Sequence, residues 1–415
     1  MTKLEHQRWV IVGALSIALF LSMGTAFDAF GIFLVPLQQH FGWSRAQSSL
    51  LFTAMALLYA ASMPVAGWLL DHFDARFVIG AGAVFCGSGM VCASLSNYYP
   101  SMMAAYALVG IGIGLDAYVP VVVVITNWFN ERRGLALGVA LSGEFVGLMV
   151  MAPVLTRTIS SFTWRAGYMV IATLMFFVLL PLAVVIVRTG PRATQERAHA
   201  NGSADSHAGM EIRDALRSRS FWMLAIAQIC WGCSLTGLFI HLAAYMTGVG
   251  YSSEATGLAM SIFAGLGILG QPLAGGITDR LGAQLSLVVT FSLMAAGSLS
   301  LIWANSLGFL SVYVGTGLIA NSPVLLTGIL VADCLGLKRY GSLEGLLGSA
   351  AQFGAAFGPE LSGLILDATA SYTLAFLLLA ILQAVGALAA FVCIPAEYTH
   401  SSAPPALAKQ RGQSL

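Results

Sequence analysis

The chain has 415 residues, of which 58% are hydrophobic and only 9% charged, with 19 Lys and Arg against 18 Asp and Glu. With a mean hydropathy of +0.84, this composition excludes an ordinary water-soluble globular domain and predicts a polytopic membrane protein. The net charge of +1 is spread over short loops, which leaves no basic patch for nucleic acid.

The first nine residues, MTKLEHQRW, are polar, and the apolar run behind them is too long for the core of a signal peptide, so a retained first span is expected. Windows of about 20 apolar residues can each cross ~30 Å of hydrocarbon as a helix. Twelve such windows fall near residues 9–37, 46–70, 77–95, 101–127, 135–157, 166–187, 221–246, 254–277, 284–303, 307–332, 342–366 and 372–395. The stretch 188–220 is the longest connection, rich in Pro, Gly, Ser, Asn and mixed charge, and reads as a solvated linker. A short amphipathic helix over 212–216 is expected just before span seven. The predicted organisation is an all-α membrane protein: a tail at 1–8, a six-helix bundle at 9–187, the linker, a second bundle at 221–395 and a tail at 396–415. With the amino terminus inside, only Arg45, Arg157 and Arg165 of the basic residues fall outside, which predicts cytoplasmic termini. Compact loops make a bacterial inner membrane the simplest location. Cys86, Cys92, Cys230, Cys233, Cys334 and Cys393 lie in or beside apolar segments and are expected to be free thiols. The C-W-G-C pair Cys230 and Cys233 has no βαβ context and reads as small packing residues.

The two halves repeat each other. Span eight ends in a polar turn, Gly275 to Gln284, that reads G-x-x-x-D-R-x-G, and an imperfect copy stands at Gly67 to Arg76, 208 residues earlier by the two aspartates. Gly110-x-Gly112 answers Gly315-x-Gly317, Gly134-x-x-x-Gly138 answers Gly341-x-x-x-Gly345, and Pro153 answers Pro359. Two similar bundles facing each other across a membrane form the usual frame of an alternating-access carrier, with the substrate site between them near the midplane. No G-x-x-x-x-G-K-[ST] loop is present to suggest nucleotide hydrolysis.

Ionisable groups inside a bilayer cost about 2.5–3.5 kcal/mol each on insertion scales and usually face a cavity or a partner. Spans three, six, nine and twelve carry none and are expected to face lipid, leaving spans one, four, five, seven, eight, ten and eleven for the pathway or the interface. Asp28, Asp116 and Glu144 are candidate proton sites, because a carboxyl group shielded from water can load and unload a proton during a transport cycle. His241 can become cationic near neutral pH. Gln271, before Pro272, offers donors and an acceptor in mid-helix. Asn321 interrupts span ten and Gln352 interrupts span eleven, and Tyr118 follows Asp116 on a Gly-rich helix. His241, Gln271, Asn321, Tyr118 and Gln352 are the candidate substrate contacts. Asp71 with Arg76, and Asp279 with Arg280, sit at cytoplasmic helix ends where a carboxylate can meet a helix terminus or an arginine, and read as conformational latches.

The paired G-x-x-x-D-[RKH]-x-[GD] turns on twelve helices split six and six resemble the major facilitator superfamily over nearly the whole chain. Phe41-Gly42-Trp43-Ser44, the run NWFNERRGLAL from Asn127 to Leu137, Ser142-Gly143 through Pro153, Trp164-Arg165, Phe221-Trp222, Gly358-Pro359 and Leu366-Asp367 with Ser371-Tyr372 are similar to the branch holding monocarboxylate porters and oxalate-formate antiporters. The resemblance implies rocker-switch transport of small organic anions, often with a proton. It also exposes two departures: where that branch commonly has an arginine before the span-eight proline, this chain has Gln271, and where the animal monocarboxylate group has a span-one lysine, it has Asp28 and Ala29. Glutamine offers hydrogen bonds but no charge.

The sequence therefore predicts a secondary carrier of a small organic acid, with a proton as co-substrate, the bilayer as its surroundings, a monomeric state and no cofactor or metal. The alternative is an exporter of a neutral or cationic lipophilic compound. A transport-dead sensor would carry a longer cytoplasmic domain. No nucleophile, base and orienting group stand at a spacing that would suggest an enzyme.

Overall fold

Polar caps and chain breakers cut the apolar sequence into helices. The computed structural model describes residues 3–190, 209–303, 306–369 and 371–393. Span one runs through Lys3–Leu21, a π-helical turn Ser22–Phe27 and Phe30–Phe41. Span two is Arg45–His72, three is Ala75–Leu95, and four is Tyr99–Asp116 with Tyr118–Trp128. Span five is Arg133–Ser161, and six is Trp164–Leu174, Met175–Leu179 and Leu180–Val185. After a four-residue helix, Ile212–Ala215, come span seven, Arg219–Gly248, and span eight, Ser253–Leu281. Span nine is Ala283–Ser300, ten is Leu307–Gly315, Thr316–Leu318 and Ser322–Leu335, eleven is Tyr340–Thr369 and twelve is Thr373–Val392.

The starts follow from side chains that satisfy the free N–H groups of a first helical turn. Ser44 opens span two with a capping box: the Gln47 N–H donates to Ser44 Oγ at 3.2 Å and the Ser44 N–H to the Gln47 side chain at 3.0 Å. Asp74, Thr163, Ser218 and Ser252 open spans three, six, seven and eight in the same sense. The eight–nine turn needs a residue at φ 85°, and Gly282 supplies it.

Ten of these helices are long and apolar enough to cross a membrane, and span ten, bent by 43° at its break, makes an eleventh. Span eleven has the length, at 30 residues, but Gly, Ser, Gln and Glu dilute its hydropathy. Its place explains the composition: one face packs on span seven and another on span two, so less of it meets lipid. The fold is thus two six-helix bundles with twelve membrane-length helices.

Contacts between the bundles run through spans two, four and five on one side and eight, ten and eleven on the other. Sequence reasoning left span two out of this set because it carries no mid-helix charge. The reason it belongs is steric. A Cβ on Gly67 would overlap the Gly341 carbonyl, and a Cβ on Gly275 would overlap the Gly134 carbonyl. Spans two and eleven, and five and eight, therefore touch backbone to backbone, as the repeat predicts for a twofold-related pair. Gly138 against Gln271 and Gly345 against Met63 extend the two seams.

Behind these seams the start of the second bundle is pinned to the ten–eleven turn. The Met210 N–H donates to the Leu335 carbonyl at 2.9 Å, and Glu211 pairs with Lys338 at 3.1 Å and Arg339 at 3.3 Å. Residues 191–208 of the predicted linker at 188–220, and the predicted tail at 396–415, lie outside the described residues.

Two outcomes follow. Gly275→Ala is expected to lower stability by about 1–3 kcal/mol through overlap at the seam. Gly276→Ala, on the same helix with open space at its Cβ, should be neutral or slightly stabilising, and thermal melting in detergent compares the pair. Hydrogen bonds from Lys338 and Arg339 hold the Glu211 carboxyl below the ordinary glutamate range. A group with a depressed folded value stabilises above its unfolded value and loses that contribution as pH falls through the folded one. Attachment of the 209–211 segment should therefore persist at neutral pH and weaken only in acid below the ordinary glutamate range, while Glu211→Gln weakens it at neutral pH. Hydrogen exchange over residues 335–339 reads both.

Candidate functional site

Span one changes its hydrogen bonding just before Asp28, its mid-membrane carboxylate. The helix relaxes into the π turn, the Asp28 N–H reaches back to the Met23 carbonyl at 2.9 Å, and Thr25 Oγ1 donates to the Phe20 carbonyl at 2.7 Å. Such turns re-aim side chains at functional positions. Asp28 keeps an exposed edge while facing the Glu144 carboxyl of span five. The Tyr118 hydroxyl of span four donates to Glu144 from the other side. Tyr59 of span two is fully buried beside Asp28 and Glu144, and among the described residues its hydroxyl has no hydrogen-bond partner. Asp28, Glu144 and Tyr118 are thus brought together from three spans, and Tyr59 is a fourth member that the sequence did not single out. Its signal was its register: Tyr59 stands four residues before Met63 and eight before Gly67, on the face that meets span eleven.

Asp116 is placed differently. It is fully buried, among the described residues neither carboxyl oxygen has a hydrogen-bond partner, and Ser22 is the neighbouring hydroxyl. A Cβ on Gly82 would stand 2.6 Å from the Asp116 Cβ. The carboxyl lies inside the first bundle among spans one, three and four, and Tyr59 is near it as well as near the other two acids.

In the second bundle Asn321 occupies, by the repeat spacing, the place of Asp116. It stands at the N-cap position of the restart of span ten without a side-chain capping bond, and the Trp231 Nε1 donates to the Ala320 carbonyl at 2.7 Å, satisfying an acceptor that the break exposes. His241 Nε2 lies 3.0 Å from the Pro359 carbonyl, while Thr236 Oγ1 donates at 2.8 Å to the Ala355 carbonyl, the acceptor orphaned by Pro359. His241 is therefore placed as a strut between spans seven and eleven. Gln271 is buried at the five–eight seam, and its side-chain carbonyl has no partner. Gln352 is half-buried, one turn beyond Gly348, whose neighbours are Met63 and Val119.

The two turns that repeat in sequence do the same thing in space. Asp71 accepts hydrogen bonds from the Gly341 N–H at 2.9 Å, the Ser342 N–H at 3.0 Å and the Ser342 hydroxyl at 2.5 Å. Asp279 accepts from the Gly134 N–H at 2.7 Å and the Leu135 N–H at 3.0 Å. Each carboxylate caps the second and third residues of a helix in the opposite bundle, where free N–H groups and the helix dipole favour negative charge. The arginines paired with them in sequence are not partners: Arg76 lies over the Phe77 ring, and Arg280 is exposed. Helix termini outcompete arginine here because the seam presents them directly opposite each aspartate. Arg133–Asp333 at 3.8 Å, Arg339–His72 at 3.3 Å, Tyr340–Thr126 at 3.2 Å and Ser349–Ala60 at 2.6 Å join the bundles at the same end. Beyond Ser349 the same face of span eleven presents Phe353 and Phe357, exposed by 60% and 50%. The molecule is closed at the linker end and parted at the other.

The profile of the Major Facilitator Superfamily matches residues 15–329, more than half of the chain. The chain belongs to the Major Facilitator Superfamily. Its curated relatives include human monocarboxylate transporter 12, 25% identical over 382 residues that cover 84% of this chain and 73% of that protein. Monocarboxylate transporter 2 of Mesocricetus auratus is 23% identical over 391 residues, covering 88% and 79%. Among solved structures, the superfamily transporter FucP in the outward conformation superposes with a TM-score of 0.71 at 15% identity, over 94% of this chain and 100% of that one. The proton:xylose symporter XylE does so with a TM-score of 0.72 at 14% identity, over 92% and 95%. The protein is a multi-pass secondary transporter of this superfamily and not an enzyme.

Asp71→Ala or Asp279→Ala removes one cap, a change of about 0.5–2 kcal/mol. Each is expected to shift the closed-to-open ratio at the linker end by roughly 2–30-fold. Distances between spin labels across that end measure the shift.

Proposed function

We propose that this transporter carries a small organic acid together with a proton, using Asp28 and Glu144 as the proton-binding pair. The carrying observation is the meeting of two carboxyl groups and the Tyr118 hydroxyl at a break in span one, on a surface that stays open while the linker end is closed. Two carboxyl groups face to face strongly disfavour joint ionisation, so the pair holds a proton. An anion approaching them is repelled while both are charged and accepted once they are protonated, which links substrate entry to proton binding. The relatives named as monocarboxylate transporters support the substrate class. Gln271, Asn321 and Gln352 then supply hydrogen bonds in place of a fixed cation, and Asp116, inside the first bundle, acts on the pair only through Tyr59. His241 positions span eleven at Pro359. Asp71 and Asp279 act as latches. The distribution of Lys and Arg supports cytoplasmic termini, and hence a linker end that faces the cytoplasm, in a monomer embedded in a bacterial inner membrane.

One observation favours a second reading. Among the described residues no Lys or Arg forms an ion pair with Asp28, Asp116 or Glu144, and Gln271 stands where a carboxylate-binding arginine would be. That inventory also suits a neutral or cationic lipophilic compound.

Purified protein in proteoliposomes with an imposed pH gradient separates the two. Labelled monocarboxylates should accumulate. Asp28→Asn and Glu144→Gln should each reduce gradient-driven uptake by about 100-fold or more while retaining counterflow, the loss expected of a step that requires proton transfer. Absence of carboxylate counterflow together with gradient-driven movement of a lipophilic cation would establish the second reading instead.

A further inference from the structure

The proton cycle described above leaves one acid unused. Glu344 stands in the first turns of span eleven, 5% exposed, and among the described residues its buried Oε2 has no hydrogen-bond partner and no ion pair is made to the side chain. The sequence reading passed over it because it lies at the edge of a predicted span. Its position is set by the seam. Two and three residues earlier, Ser342 and Gly341 are capped by Asp71; one and four residues later, Gly345 and Gly348 press on Met63 of span two. A Cβ on Gly328 of span ten would lie 3.6 Å from Glu344 Oε1. Tyr340 closes the end of this compartment, donating to the Gly328 carbonyl at 2.7 Å with its hydroxyl 3.2 Å from Thr126 of the first bundle.

The charged neighbours do not compensate it. Asp71 of span two is of the same sign and is committed to the helix terminus. Arg133 of span five and Asp333 of span ten pair with each other beyond Tyr340, and the nearby residues of span four are Val119, Val122 and Thr126. An ionised carboxylate without a donor or counter-charge is too costly in such a place. Opening the seam would separate span eleven from spans two and four and admit water from the linker side.

We propose that Glu344 is a proton-coupling residue of the linker-side gate: it carries a proton while the two bundles are closed at that end and releases it to that side when they part. Glu344, Gly348 and Gln352 share one helix face at four-residue intervals, which puts Glu344 two turns, about 12 Å, below Gln352. A proton delivered with substrate from the open side thus has an exit residue on the helix that moves. This inference rests on the alternating-access reading but not on the identity of the substrate or on the roles of Asp28 and Glu144.

Spin labels at Val185 and Leu285, exposed residues at the linker-side ends of spans six and nine, report the gate in full-length protein in nanodiscs without substrate. In the wild type the closed population should fall relative to the open one as pH rises from 6 to 9, by up to about tenfold per pH unit, the limit for one proton. Glu344→Gln, uncharged and of the same shape, should stay closed throughout and melt at no lower temperature than the wild type. An unchanged pH response in Glu344→Gln overturns the proposal, and so does a variant that melts lower or fails to fold, because a neutral side chain would then not suit the closed gate. Failure of the organic-acid reading would leave both measurements as they are.

Discussion

Two carboxylates on the ends of helices from the opposite bundle hold this structure in the state observed. Asp71 on Gly341 and Ser342, and Asp279 on Gly134 and Leu135, are the same interaction made twice. Each works only because glycine pairs let the helices approach until the terminal N–H groups reach the aspartates. Sterics and electrostatics are therefore one device: a side chain at Gly67 or Gly275 would hold the dipole away from its charge, and without the charge the close-packed seam would leave helix termini unsatisfied. Both caps are exposed or half-buried and are worth little individually, which suits contacts that must break in every cycle.

The consequence is an asymmetric molecule. At the linker end the caps, the seams and a few cross-bundle bonds exclude water. At the other end the same helix faces separate and expose Phe353 and Phe357. Asp28 sits between these ends, on a broken helix whose π turn provides the local freedom to place it against Glu144 of span five. Span ten is broken before Ser322, at the point that answers the break after Asp116 in span four, so each half carries an interrupted helix at mid-depth. The span-ten interruption is satisfied by a neighbour, Trp231 donating to the Ala320 carbonyl, and in span eleven Thr236 does the same for the Ala355 carbonyl freed by Pro359.

Much of this was legible in the amino-acid sequence. Hydropathy located the helices, and the repeated turn with its 208-residue spacing revealed both the duplication and the aspartates that cap across the interface. Span eleven could be counted despite its glycines because its repeat partner, span five, has the same small-residue pattern. Pairwise relations were less accessible. Asp71 and Arg76 are near in sequence and on the same surface, yet the helix terminus across the seam is the better partner. Asp116 looks equivalent to Asp28 in composition but faces Gly82 within its own bundle, a distinction that depends on helix rotation. His241 resembled a ligand because a lone histidine carries no signal of the Pro359 carbonyl it meets. Tyr59 and Glu344 were missed since their significance lies in what other spans bring beside them, Asp28 and Glu144 for Tyr59 and the seam with spans two and ten for Glu344.

The central claim is that the capped glycine seams close the linker end while the opposite end admits water. In a cysteine-free background, Phe353→Cys and Leu346→Cys can be challenged with a membrane-impermeant maleimide from the face opposite the linker. Rapid labelling of the first and protection of the second, with the protection unaffected by raising reagent concentration, is the expected result. Equal labelling of both, or protection of Phe353→Cys alone, would contradict the account.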